Sequence, residues 1–224
     1  MSTQLGMFAK HWQPGEVKTR LAASIGHESA ASLQRLFVQT LLCRFRNMAD
    51  RRVLCFTPPE AADSFRQLDL ASWTLEPQAS GNLGTRMQRY FASGLSAAKP
   101  PRTILIGSDS PDLPLEYLQE ALDKLREVPV VLGPTTDGGY YLIGLSQTVP
   151  PIFDDIPWST SAVWPQTTAR LTAAGIPYHV LPGWYDVDDE SGLNALLLNV
   201  NMEGFTDPHL RHLASAILAA LPQP

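Results

Sequence analysis

The chain has only two cysteines, no apolar run of membrane-spanning length and no excess of positive charge. Cys43 and Cys55 lie in "TLLCRF" and "VLCF" without Cys-x-x-Cys spacing. That excludes a thiolate metal site or redox pair and predicts two buried, reduced thiols. The opening "MSTQLGMFAK" shows no basic segment followed by an apolar stretch of leader length. The expectation is therefore a soluble cytoplasmic protein with no integral membrane segment. A formal net charge of -5 excludes a general nucleic-acid binder, because phosphate-backbone affinity needs basic surface in excess. A small anion held by a few local cations is not excluded. Two catalytic signatures are missing as well. Val17 stands where a P-loop needs glycine before Lys18, and Ser108 and Ser110 lack the glycines of a nucleophile elbow.

What is present is an alternation of short apolar runs with longer amphipathic ones. At 224 residues and 44% hydrophobic, the chain can bury one sizeable core, and residues 1–224 are expected to form a single domain. "LGMF", "RVLCF", "TILIG" and "VVLG" read as strands covered on both faces. Helical patterns lie between them in "HESAASLQRLFVQTLLCRFRNM", "PPEAADSFRQL", "NLGTRMQRYFASGLSAA" and "PLEYLQEALDKLRE". Strand and helix in alternation predict an α/β sheet. "YYLIGL" follows "VVLGP" across "TTDGG", too short for a helical crossover, so an antiparallel strand is expected and the sheet is mixed. "PYHVLP" reads as a further strand, and "ESGLNALLLNVNM" and "PHLRHLASAILAAL" as closing helices.

Ligands of open α/β sheets bind at the carboxyl ends of the strands, and three such ends carry unusual residues. After the first strand, Pro14 and Gly15 turn the chain and Lys18, Thr19 and Arg20 enter a helix. The helix dipole disfavours cations there, and a bound phosphate would reverse the sign; a solvated turn explains them equally. After "TILIG" come Asp109 and Asp112. Asp112 suits an N-cap before the helix that begins near Pro114, whereas Asp109, directly beyond a buried strand, is a usual place to hold Mg2+ or Mn2+. In "GWYDVDDE", Asp186 and Asp188 are alternate residues of an extended segment and could close on a metal from the side opposite Asp109. Asp189 and Glu190 suit a helix start without any ligand. The paired His209 and His212 lack a third ligand, and a solvated face accounts for them.

Six motifs in order, "FAKxxxPGxVKTRLA", "GNLGTRM", "GSDSPDLP", "GPTTDGGYYLIGL", "IPWSTSAVWPQT" and "DVD", resemble the bacterial GT-A-like transferases known as radical-SAM/selenodomain-associated transferases. That family belongs with the nucleotide-diphospho-sugar transferases, and the resemblance spans nearly the whole chain. It implies a Rossmann-like GT-A fold, three layers α/β/α with a mixed, mostly parallel sheet. It also implies a nucleotide over the end of the first strand and a divalent metal, Mg2+ or Mn2+, on Asp109 and Asp188. By the same carry-over Phe8, Ala9, Lys10, Gly15, Lys18, Thr19 and Arg20 approach the nucleotide, with Lys18 and Arg20 at its phosphates. Gly81, Leu83, Gly84 and Arg86 approach base or sugar, and Ser108 adjoins Asp109. Trp12 departs from the family's usual proline, and "DVDDESGL" replaces the more common "DVDTPEDL".

The acceptor side rests on "TTDGGYYLIG" and "IPWSTS". If the fold is of this kind, the Asp137, Gly138, Gly139 turn faces the metal centre. Asp137 could then orient an acceptor hydroxyl or act as general base, with Tyr140, Trp158, Ser159 and Thr160 lining the pocket. A hairpin turn is by itself sufficient to explain Asp-Gly-Gly. The implied reaction is sugar transfer from a nucleotide sugar to a small-molecule or sugar acceptor. Nucleotidylyl transfer with release of pyrophosphate is the alternative, and a non-catalytic nucleotide-binding protein a third.

Overall fold

The computed structural model describes residues 2–70, 72–96, 101–200 and 207–221. The apolar runs form β1 (Thr3–Lys10), β2 (Arg51–Thr57), β4 (Arg102–Ile106), β5 (Val130–Pro134) and β6 (Tyr140–Leu145). With β3 (Thr74–Pro77) and β7 (Tyr178–Val180) they make one seven-stranded sheet in the order β3-β2-β1-β4-β6-β5-β7. β6 pairs antiparallel with both β4 and β5, and the remaining pairings are parallel. The hairpin expected across "TTDGG" is therefore the point where the sheet becomes mixed.

The helices are α1 (Thr19–Ile25), α2 (His27–Arg44), α3 (Ala62–Arg66), α4 (Leu83–Gly94), α5 (Leu115–Lys124), α6 (Val163–Ala173), α7 (Glu190–Val200) and α8 (Pro208–Ala220). They cover both faces of the sheet, which gives the Rossmann-like α/β/α layering. On one face Leu41 and Leu42 of α2 and Phe45 just after it, Phe65 of α3 and Leu118 and Leu122 of α5 pack against Leu5, Met7, Ile104 and Ile106. On the other, Met87 and Phe91 of α4 and Leu171 of α6 pack against Leu105, Leu132 and Ile143. Ile104, Leu105 and Ile106 of β4 thus alternate between two cores, as a strand buried on both faces must. A third cluster packs α7 and α8 on α1 and α2 through Leu193, Leu196, Leu213 and Ile217 against Leu21, Leu33 and Phe37.

β3 and α6 were not legible in the sequence. α4 stops at Gly94, short of the helix expected through "GLSAA", while the expected end of α7 at Met202 lies outside the described residues. Cys55 is buried as expected, while Cys43 is only half-buried. Among the described residues no helix is long and apolar enough to cross a membrane.

Candidate active site

The chain winds outward from β1 through β2 to β3, then returns to β4 on the other side of β1. At this switch point the loops after β1 and β4 part, leaving a crevice outside the strand ends. A cleft of about 650 Å3 occupies it, lined by Phe8, Ala9 and Lys10 of β1, Ser108 and Asp109 after β4, and Lys18, Leu83, Arg86, Tyr140, Ser159 and Asp188.

Lys18 is the N-cap residue of α1 and adopts the left-handed conformation, φ 48°, without capping the helix through its side chain. Its ammonium donates to Asp109 Oδ1 and, at 2.9 Å, to Asp188 Oδ1. The side chain is 3% exposed and lies over the Phe37 ring, 5.8 Å from the centroid. Burial alone would depress its pKa, but the charges of Asp109 and Asp188 and the hydrogen bonds to them raise it above the ordinary value. The lysine is therefore an ammonium.

The late acidic segment reaches this point because backbone bonds carry it there. Trp184 N donates to Pro134 O at the end of β5, and Val187 N donates to Asp109 O at 2.8 Å. Asp186 and Asp188 flank that second bond. Asp186 is part-buried and accepts from Ser110 Oγ at 2.7 Å. Burial, then the neighbouring charges of Asp109 and Asp188, push its carboxyl up to about 7 against the pull of Ser110 and Lys18. Beneath them Gln34 of α2, 3% exposed, donates through Nε2 to Ser108 Oγ at 2.9 Å. Its Oε1 is buried without a hydrogen-bond partner among the described residues.

This donor set suits a hard divalent cation. Asp109 Oδ1 and Asp188 Oδ1 already converge on one positive charge, the Lys18 ammonium, and Gln34, whose Oε1 is buried without a partner among the described residues, lines the same cleft. Among the described residues no three His, Cys, Asp or Glu side chains form a metal-ligating group. Such an ion would take two carboxylates and fill its other positions with phosphate and water, as Mg2+ commonly does.

Other residues singled out from the sequence fall elsewhere. Arg20, with its side chain 69% exposed, pairs with Asp189 and borders a second cavity of about 220 Å3 that also holds Asp137, Asp186 and Asp188. The two cavities meet at Asp186 and Asp188. Asp137 Oδ1 accepts from Thr135 Oγ1 at 2.5 Å and from Gly139 N at 3.1 Å, holding the β5–β6 turn in which Gly138 has φ +95°. Lys10 donates to Glu16 O at 2.7 Å within the first loop. Gly15 takes φ +82°, with open space around it, and Thr19 begins α1. Arg86 braces the preceding loop through Gly81 O at 2.9 Å and Gln78 Oε1 at 3.3 Å. A side chain on Gly84 would strike Phe153 O and the Trp158 ring, so this glycine serves close packing of α4. Trp158 stands edge-on to Tyr140, and Thr160 donates to Pro157 O within its own turn. Trp12 packs on Phe65, 4.8 Å between centroids, and so covers core instead of cleft.

Asp112 corrects an expectation. The N-cap of α5 is Pro114, with no side-chain cap, and Asp112 is buried instead. Its carboxylate accepts from Tyr185 Oη, from Asn199 Nδ2 at 3.1 Å and from Trp184 Nε1 at 3.3 Å. The sequence also gave no notice of Gln34, Gln78 or the Ser110–Asp186 bond. Gln78 Nε2, which binds Cys55 O at 2.9 Å beside the cleft, has no distinguishing pattern around it.

A family model described as an uncharacterized protein conserved in bacteria (DUF2064) matches residues 42–160. The chain is similar over 98% of its length, with 32% identity and a TM-score of 0.89, to 97% of a protein of known structure from Desulfovibrio desulfuricans G20 provisionally described as a nucleotide-diphospho-sugar transferase. More distantly, 98% of the chain shares its fold with 94% of a cytidylyltransferase from Leptospira borgpetersenii serovar Hardjo-bovis (strain JB197), at 9% identity and TM-score 0.58. A CMP:2-keto-3-deoxy-manno-octonic acid synthetase complexed with CTP shares it over 90% of this chain and 100% of that one, at 12% identity and TM-score 0.53. No curated protein matches the sequence.

Proposed function

Since the chain belongs to the DUF2064 family of uncharacterized bacterial proteins, we propose that it is a metal-dependent transferase that uses a nucleotide-activated donor, and specifically a glycosyltransferase. The observation that carries this reading is the meeting of Lys18, Asp109 and Asp188 in a cleft at the switch point of the sheet. The relative from Desulfovibrio desulfuricans G20, with its provisional description, supports the same class. Within that class the motifs quoted above favour the radical-SAM/selenodomain-associated transferases.

In this reading Lys18, Lys10 and Arg86 bind the donor's diphosphate, with Phe8, Ala9 and Leu83 beside the nucleoside. Asp109 and Asp188 would hold Mg2+ or Mn2+, whose chemistry is to neutralise charge developing on the leaving diphosphate. The bond from the anomeric carbon to the diphosphate oxygen breaks, the bond to an acceptor hydroxyl oxygen forms, and the hydroxyl proton passes to a carboxylate. Asp137 and Asp186 border the adjoining cavity where that hydroxyl would enter.

The same cavity favours sugar transfer over nucleotidylyl transfer. Asp137, Asp186, Asp188 and Asp189 line it against Arg20, which is already paired with Asp189. Such a surface repels a phosphorylated acceptor and suits a neutral polyol. Nucleotidylyl transfer remains the second reading because Lys10, Lys18 and Arg86 together offer enough positive charge for a triphosphate. The deciding experiment is a thermal-shift screen of nucleotide sugars and nucleoside triphosphates with and without Mn2+, followed by product detection. Release of a nucleoside diphosphate supports sugar transfer, release of pyrophosphate the alternative, and Mn2+-independent binding without turnover would refute both.

A further inference from the structure

Lys18 is the most deeply buried charged side chain in the cleft, yet it spends its ammonium on the two carboxylates best placed to hold a metal. Its left-handed backbone, unfavourable for a residue with a side chain, directs it there. Asp109 and Asp188 are 42% and 47% exposed, so the cation lies on their protein side and the carboxylates face the open cleft. An ammonium and a divalent ion compete for the same oxygens, since like charges a few ångströms apart repel strongly in a part-buried site. A metal cannot fully engage Asp109 Oδ1 and Asp188 Oδ1 while Lys18 does. The cleft that Lys18 lines is also where a diphosphate would bring anionic oxygens, and an ammonium on a flexible stem is free to change partners.

We propose that Lys18 is an exchangeable internal counter-ion that couples donor binding to metal binding. In the free protein it pairs with both Asp109 and Asp188; when a diphosphate enters, the ammonium transfers to the phosphate oxygens and releases both carboxylates. Coupling of this kind is reciprocal, so the metal strengthens diphosphate binding by the factor by which diphosphate strengthens metal binding. It also guards against futile loading, because neither ligand completes the site alone. The proposal rests on the reading of the cleft as a metal-dependent diphosphate site.

Equilibrium dialysis of radiolabelled Mn2+ against the full chain, with pyrophosphate at equal concentration on both sides of the membrane, tests it without turnover. Wild type should retain Mn2+ weakly alone and at least about tenfold more tightly with pyrophosphate, a coupling within the usual range. Lys18→Met should bind Mn2+ alone at least about tenfold more tightly than wild type, with the pyrophosphate effect reduced severalfold. Asp109→Asn should lose retention in both conditions. The coupling is overturned, with the metal site left standing, if wild type binds Mn2+ equally with and without pyrophosphate or if Lys18→Met binds it no better than wild type. Absence of retention in every arm would overturn the coupling and the metal-dependent reading together. Thermal melting verifies that each variant is folded; Lys18→Gln replaces the methionine variant if that one is not, and the wild-type comparison decides if neither folds.

Discussion

Lys18 Nζ stands 2.9 Å from Asp188 Oδ1 and also bonds Asp109, so one buried cation joins residues 170 and 91 positions away along the chain. Three segments that follow β1, β4 and β7 at the same, carboxyl-end edge of the sheet are fixed to each other at this point. The prediction is that Asp109→Asn lowers turnover at least about 100-fold, because a neutral amide supplies neither the metal-binding charge nor a strong partner for Lys18. Release of nucleoside diphosphate measures the loss. An unchanged rate in a folded variant would remove Asp109 from the chemistry.

Asp112 anchors the loop that presents Asp109, and it does so as a buried carboxylate surrounded by neutral donors. Tyr185 Oη, Asn199 Nδ2 and Trp184 Nε1 all point to it. Asp112→Ala leaves those donors without their acceptor, which costs about 1–3 kcal/mol for each group that water cannot reach. Urea unfolding should therefore show a loss of at least about 2 kcal/mol. Asp112→Asn, which keeps an acceptor oxygen, should lose less. Equal losses for the two variants would mean that charge, and not the hydrogen-bond geometry, holds the loop.

The contrast between Asp109 and Asp112 also shows what a sequence can reveal here. Strands were legible because Ile104, Leu105 and Ile106 are apolar on both faces, and Lys18, Asp109 and Asp188 drew notice as charged residues in the segments beyond apolar runs, segments that the structure brings together. β3, "TLEP", is a four-residue edge strand whose residues are exposed or half-buried, so no apolar run marks it. α6 escaped notice because Pro165 and the threonines at 167, 168 and 172 read as breakers and poor helix formers. Pro165 in fact sits in the first turn, where proline is tolerated. Asp112 misled because capping is a local inference, whereas its partners Tyr185 and Asn199 lie 73 and 87 residues downstream. The partners of Gln34 and Ser110 are hidden for the same reason.

Gly84 belongs to a motif that suggested ligand contact, and its surroundings assign it to packing. A Cβ there would lie 2.3 Å from Phe153 O and 2.4 Å from Trp158 Nε1. The first of these is backbone and cannot rotate away. Gly84→Ala should cost about 1–3 kcal/mol as overpacking and displace the Trp158 loop, including the cleft residue Ser159. A lower melting temperature together with altered tryptophan emission is the expected result. Unchanged emission with full stability would show that α4 shifts to make room.

Arg44 and Asp207 give the fold a defined acid sensitivity. Arg44, with its side chain 4% exposed, donates through Nε to Asp207 at 2.8 Å and through Nη1 to Pro111 O and Leu113 O. Asp207 is also the N-cap of α8, accepting from His209 N at 2.9 Å. Burial alone would raise its pKa, but the hydrogen bond and charge of Arg44 and the amides of the helix start hold it below the ordinary 3.8. A folded-state pKa below the unfolded one means that ionised Asp207 contributes its full stabilisation above that ordinary value. The contribution is lost as pH falls through the lower, folded value. Asp207→Ala should therefore cost about 2–3 kcal/mol at neutral pH, from the unpaired Arg44 and the missing cap. In urea unfolding the gap between wild type and variant should narrow steadily as the buffer is taken below 3.8. A gap constant across that window would mean that the cap's hydrogen bonds, which a protonated carboxyl can still accept, contribute all of the stability and that the charge pairing with Arg44 contributes none.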